Sequence, residues 1–378
     1  MPAHNAEAMI AAAIDSVRRQ TYCEWELLVV DDRCEDRTVA IAKDCCTEDP
    51  RISLHHTDLP GVSGARNCGI KLARGDYITF LDADDLYLKN AIRSRLRLLQ
   101  RHRDIAAVFC AAEIADAASR RLGMQVGLTH TVDFRHMWRC PFHVDSVMVR
   151  TSLLRKFSFP LGIENGEDWL LWARMARSGV TFHRVRGVHV LYRAHHNSTV
   201  ALDRLKHEVA LEKVLALIYG PDPQCTAPDP RFAEGLCSPA FKQVLLKKRL
   251  GRLVTCLLLD KEDEAHQLAA TFDPWVCAHI SRPEVFSIIR STFQRFYICS
   301  AEEWLQHWAG RRRYFRRFWE EAFPAKRYPN MDRRLFRMLD CYDRNLATRA
   351  YYEGRRVANR CFKLAQQKFP GSLLPRTE

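Results

Sequence analysis

No run in the 378-residue sequence approaches the roughly 20 apolar residues that a membrane-spanning helix needs. The longest candidate, residues 105–118, is interrupted by Glu113 and Asp116. The opening MPAHNAEAMI has no basic segment ahead of a long apolar stretch, so no secretory leader is expected and a cytoplasmic protein is. Fourteen cysteines are present, yet no two are spaced Cys-x-x-Cys, and Cys45 and Cys46 adjoin. Such spacing does not build a structural zinc site, and a chain of this length needs no disulfide framework. The thiols are therefore expected to be reduced and packed as small apolar groups. Internal repeats, low-complexity tracts and a Gly-rich phosphate loop near the N-terminus are also lacking, and the last absence counts against a nucleotidyltransferase.

What is present is positive charge, with a net +13 that calls for an anionic partner or substrate. It is uneven, since residues 311–360 hold fifteen Lys and Arg against six Asp and Glu. Arg311, Arg312, Arg313, Arg316, Arg317, Arg333 and Arg334 interleave with Tyr314, Phe315, Phe318 and Trp319. That pattern fits a helix resting on anionic lipid at the inner membrane face, or equally a solvated charged face backed by an aromatic core. A nucleic-acid-binding reading explains the charge but leaves the carboxylate motifs below unexplained.

Residues 1–115 alternate helical and strand patterns. Met9, Ile10, Ala13, Ile14 and Val17 share one helical face within residues 6–20. Residues 25–30, apolar but for Glu26, form a run stopped by Asp31-Asp32, as a buried parallel strand reads. Residues 38–46 and 64–73 read as helices, and residues 52–56 and 77–81 as short strands. Strands alternating with helices predict right-handed βαβ units and a parallel sheet. The chain runs from Met1-Pro2 straight toward its first helix, so the opening strand of such a sheet is expected to be absent, with the native start upstream. An amphipathic helix is expected over residues 167–177. Residues 201–239 read as a helix followed by a Pro-, Asp- and Gly-rich linker, and residues 240–378 as a basic helical domain of unknown role.

Four acidic sites fall at strand ends or helix starts, where open α/β sheets bind ligands. Asp82 and Asp84 stand at i and i+2 of LDADD, so in extended chain both carboxylates face one side and can hold a hard divalent ion. The same DADD also suits a plain helix start. Asp31-Asp32 can accept the ring N–H of a base or open the turn to the next helix. Glu167-Asp168 can supply a general base or only a favourable helix-start charge. Trp169 and Trp172 suit stacking on a sugar or, more simply, a core. Glu7 lies in the first helical turn, and His195-His196 follow a strand in a polar loop, where a surface pair is the simpler reading than a phosphate or metal contact.

Taken in order, PAHNAE, VVDDRCEDRT, GVSGARNCGIKLARGDYITFLDADD and GEDWLLWARM resemble family 2 glycosyltransferases over about residues 1–200. The resemblance implies an α/β fold of GT-A type, a nucleotide-sugar-binding domain with a mainly parallel central sheet, followed here by a mostly helical C-terminal domain. It implies an inverting transfer from a nucleoside diphosphate sugar, usually a UDP-sugar, to a glycan, lipid-linked or protein acceptor, with Mn2+ or Mg2+. By position, Asp31 resembles the carboxylate that reads the base, with Pro2 and Ala3 lining that pocket and Glu7 and Arg66 as further nucleotide contacts. Asp82 resembles the first Asp of the family's DXD motif, near ribose and metal, and Asp84 the metal ligand. Asp168 matches the catalytic base of its ED motif, with Glu167 beside it. The chain departs from the family where Arg33-Cys34 replaces the usual Gly-Ser, and no QxxRW motif is present, which implies a non-processive enzyme.

Overall fold

The computed structural model of the chain describes residues 1–127, 130–137, 140–195, 203–220, 239–297, 304–331 and 333–344. Residues 221–238 of the expected linker, residues 345–378 of the expected helical domain, and His196 lie outside them.

The opening strand comprises two residues. Strand β1 (Pro2–Ala3) pairs in parallel with β2 (Leu27–Asp31), which pairs in parallel with β3 (Ile52–His56). Pro2 can serve there because the first residue of a strand can forgo its amide donor. Helix α1 (Ile10–Arg18) buries Ile10, Ala13, Ile14 and Val17, the stripe that its 3.6-residue spacing dictates. It begins later than the pattern suggests because residues 5–7 are held by the start of α2 (Thr38–Glu48): Ala6 N donates to Thr38 Oγ1 at 2.7 Å. Helix α3 (Gly61–Leu72) has its first amide capped by Asp32, whose Oδ1 accepts from Gly61 N at 3.0 Å. Gly64 has no substitute at that turn, since a Cβ there would lie 2.2 Å from Leu59 O.

The next strands build a second, mostly antiparallel sheet. They are β4 (Tyr77–Thr79), β5 (Leu86–Tyr87), β6 (Ala107–Ala115), β7 (Arg121–Val126), β8 (Val147–Arg150) and β9 (Phe182–Arg193). The order is β4-β8-β6-β9-β5 with β7 on β6, and only β6 and β9 run parallel. The parallel reading of residues 77–81 thus needs refining: β4 pairs antiparallel with β8, a strand some seventy residues away that local alternation does not reveal. Helix α4 (Ala91–Arg101) covers this sheet on the α1 side. Helices α5 (Thr151–Leu154) and α6 (Glu167–Arg177) complete the unit.

Beyond it lie α7 (Arg204–Tyr219), α8 (Pro239–Leu258), α9 (Glu262–Ala270), α10 (Pro274–Ala278), α11 (Arg282–Tyr297), α12 (Trp304–Ala322) and α13 (Arg333–Arg344). The Arg-rich, aromatic stretch is α12, and its aromatics are core: Phe315, Phe318 and Trp319 are at most 1% exposed. Arg311 pairs with Asp260, and Arg317 with Glu262 at 2.9 Å, so the aromatic side chains are not available to a lipid surface. Trp169 and Trp172 are likewise fully buried among Phe80, Phe142, Phe159 and Phe182, and Trp169 Nε1 donates to Met137 O at 3.0 Å. They build the core and do not face a ligand. Leu211, Val214, Leu215 and Ile218 of α7 belong to that same cluster.

Candidate active site

The acidic residues gather where the strands of the two sheets end. Asp31 closes β2, and its carboxylate accepts from Cys34 N at 2.9 Å and from His56 Nδ1 at 2.8 Å. Burial alone would raise its pKa, but these contacts outweigh burial and hold it below the usual carboxylate range. Arg33, in the turn that follows, takes the left-handed conformation with φ 59°, which glycine adopts without strain. Pro2 and Ala3 lie buried beside this turn. Glu7 is exposed at the outer rim, where its carboxylate accepts from Arg37 N at 3.0 Å just before α2.

Arg66 sits at the centre. It projects from α3 with 3% of its side chain exposed, donating to Asp82 Oδ1 at 2.7 Å and to Glu167 Oε1 at 2.6 Å. Burial opposes its charge, but Asp82 and Glu167 more than compensate, so the guanidinium holds its proton more firmly than when free. Burial would also raise Asp82, and Arg66 instead pulls it below the ordinary range. One cation therefore joins the LDADD turn to the start of α6, a link across 101 residues of sequence.

Behind Asp82 lies a group that sequence reasoning left unassigned. Asp85 is 1% exposed and accepts from Arg193 N at 2.8 Å, while Asp145, fully buried, accepts from Asp82 N at 3.1 and 3.2 Å. Burial and then Asp145 push Asp85 well up; burial and then Asp82 push Asp145 well up. Each carboxyl is thus buried beside other acids, and both resist ionisation. His143 Nδ1 stands 3.7 Å from Asp85 Oδ2, and ligand atoms of Asp82, Asp85 and His143 lie within 4.8 Å of one another. Asp145 and His143 fall in FHVDS, outside any acidic run, and nothing in their spacing marks them.

Asp84 points away from this buried group. Its side chain is 36% exposed, and Oδ2 lies 3.1 Å from Nε2 of His195. Asp82 meets Arg66 through Oδ1 alone and Asp85 is buried, whereas Asp84 offers an accessible carboxylate beside an imidazole. That oxygen and nitrogen set fits a hydrated divalent ion that also carries substrate phosphates.

The base candidate sits at the N-terminus of α6. Gly166, with φ 82°, turns the chain so that Glu167 and Asp168 open the helix, and a Cβ at Gly166 would meet Leu211 Cδ2 at 3.0 Å. Glu167 is taken by Arg66. Asp168 Oδ1 accepts from Trp169 N at 2.7 Å, and the side chain lies in a recess that keeps part of it open to solvent. Burial, and next the charge of Glu167, push its pKa up to about 7 despite Arg66 nearby. Such a carboxylate is poised to accept a proton near neutrality.

The Glycosyl transferase family 2 model matches residues 1–159. A β-1,3-glucosyltransferase of Escherichia coli, WfgD, named for UDP-Glc and α-D-GlcNAc-diphosphoundecaprenol, is 34% identical over 173 residues, 46% of this chain and 66% of its own length. An uncharacterized glycosyltransferase of Rickettsia felis is 32% identical over 177 residues, 47% of this chain and 29% of its own length. The chain thus spans less than two thirds of these relatives. Among solved structures, S. aureus TarS 1-349 with UDP-GlcNAc superposes with a TM-score of 0.52 at 16% identity, covering 78% of this chain and 87% of that one. That likeness concerns the fold, a GT-A glycosyltransferase fold.

Proposed function

From the premise that this chain is a family 2 glycosyltransferase, its match covering residues 1–159, we propose that it moves one sugar at a time from a UDP-sugar to a hydroxyl of a lipid-linked glycan, with inversion. The observation that carries the reading is Asp168, a carboxyl raised to about 7 and joined through Glu167 and Arg66 to Asp82. Asp168 takes the proton of the acceptor hydroxyl as its oxygen bonds to the anomeric carbon, while the bond from that carbon to the diphosphate breaks on the opposite face. A single displacement inverts configuration and needs a single base. Asp31 accepts from the uracil ring N–H between Pro2 and Ala3, with Glu7 at the rim of the same pocket. Arg66 fixes Asp82 for the ribose end of the donor and holds Glu167 in place beside the base. Asp84 and Asp82 hold Mn2+ or Mg2+, which when bound supplies positive charge to the departing diphosphate. The E. coli relative, with a UDP-sugar donor and a lipid diphosphate acceptor in its name, supports this choice of substrate classes. Of the described residues, no helix is long and apolar enough to cross a membrane.

The test compares wild type with Asp168→Asn for UDP binding by calorimetry and for glucose transfer from UDP-glucose to a synthetic lipid-linked GlcNAc diphosphate. Binding is expected to persist and transfer to fall at least about 10²-fold, the usual contribution of a general base. Transfer at the wild-type rate would remove Asp168 from its role.

A further inference from the structure

We propose that Lys248 of helix α8 and Cys140 border the acceptor subsite, where the lysine binds a phosphate carried by the acceptor sugar. The proposal rests on reading Asp168 as the base of a transfer to a lipid-linked glycan. It gives the helical region a part in choosing the substrate.

The oxygens of the base locate the subsite. Asp168 Oδ1 accepts from Trp169 N at 2.7 Å, which leaves Oδ2 to meet an acceptor hydroxyl. Cys140 Sγ lies 4.0 Å from that Oδ2 and 3.2 Å from Phe142 O. The shorter contact takes the single thiol proton, so the exposed Cys140 flanks Oδ2 as a small wall. Burial first, and Asp168 next, push this thiol well up, while Phe142 and Lys248 act the other way. The thiol thus lies in the field of both the base and the lysine.

Helix geometry brings Lys248 there. Phe241, Val244, Leu245 and Lys248 stand at i, i+3, i+4 and i+7, on one face of α8. Phe241 is buried and packs with Val244 and Leu245 against the cluster that holds Trp169. Leu246, Leu250, Leu253 and Leu257 belong instead to the core of the helical region, so α8 is fixed from two sides. Where the stripe facing the catalytic unit would continue, the chain places an ammonium. Lys248 Nζ lies 4.8 Å from the centroid of the Trp169 ring, and Trp169 is the residue next to the base. An indole face attracts a cation without cancelling its charge.

An anionic acceptor needs that charge. Glu167 and Asp168 both open α6, and a phosphate entering beside them meets two acidic groups. Arg66 is already engaged by Asp82 and Glu167. With its hydroxyl at Asp168 and its phosphate at Lys248, the acceptor sugar would lie across Cys140. Lysine meets phosphate as a point charge, so the subsite selects for phosphate more than for one orientation of it. Lys248 also stands outside residues 1–159, the part that the family model matches.

The experiment uses calorimetry on the full chain saturated with UDP, with two probes: octyl GlcNAc diphosphate and the uncharged octyl GlcNAc glycoside. Wild type is expected to bind the diphosphate at least about tenfold more tightly, the usual effect of a charge-assisted contact. Lys248→Met keeps the stem over Trp169 and should lose that preference, with UDP affinity unchanged, whereas Lys248→Arg should retain it. A lysine that only packs on Trp169 would affect both probes alike, so the comparison isolates its charge. Cys140→Phe adds bulk beside Oδ2 and should weaken both probes together. Equal affinity of wild type and Lys248→Met for the diphosphate, no preference for it in wild type, or full binding in Cys140→Phe would overturn the subsite. The transfer reading fails separately, on wild-type transfer by Asp168→Asn, a result on which these affinities do not depend.

Discussion

The proton affinity of Asp168 offers the sharpest measurement. Its pKa of about 7 arises from burial first and from Glu167 second. At about pH 6 roughly a tenth of such a group is ionised and at about pH 8 roughly nine-tenths, so kcat/KM is expected to rise roughly tenfold across that interval. Initial rates of UDP release in the transfer assay, at donor and acceptor concentrations well below their KM values, would trace this limb between pH 5 and 9. Glu167→Gln removes the neighbouring charge, so the inflection should move to lower pH even if the maximal rate falls. Stability gives an independent reading with a defined sign. A carboxyl whose folded pKa lies above its unfolded value opposes folding once ionised, so the opposition grows from about pH 4 to about pH 7 and then levels off. Asp168→Asn should therefore gain stability over wild type through that window, by about 1–3 kcal/mol at its upper end. A rate profile already flat by pH 5.5, or an Asn variant with no pH-dependent gain, would refute the account of a carboxylate raised by its surroundings.

Arg66→Met keeps the volume but strands Asp82 and Glu167 without their shared cation, and denaturant unfolding should show a loss of about 3–5 kcal/mol; a loss under about 1 kcal/mol would mean that the pairing is incidental. Arg33→Gly relieves a left-handed residue at φ 59° and is expected to stabilise the chain by about 1 kcal/mol in the same assay, whereas unchanged or lower stability would remove the strain. Asp84→Ala should abolish the Mn2+-dependent part of UDP binding measured by calorimetry and leave the metal-free part intact; identical metal dependence in the variant would place the ion elsewhere.

Strand β2 was legible because it is a short apolar run ending in acids, and helix α6 because its stripe coincides with its ends, Glu167–Arg177. Asp82 and Glu167 could be named singly, yet nothing in their spacing says that Arg66 touches both, since that contact depends on how α3 lies between them. Asp145 and Asp85 were illegible for a related reason. Their raised proton affinity comes first from burial, and burial is a property of the packed sheet that FHVDS does not encode locally. The Arg-rich stretch supported two readings because amphipathic spacing is common to an interfacial helix and a surface helix; Phe315, Phe318 and Trp319 prove to be core residues.

The contact between Gly166 and α7 bears on where this chain can be divided. Leu211 and Val214 press on the turn that aims Asp168, and they share a core with Trp169 and Trp172. A protease cut near residue 200 that released everything after it would wet one wall of α6 and unseat the base, although each acidic motif would survive in the fragment. The smallest piece able to perform chemistry therefore extends through α7, well past the last residue that carries any.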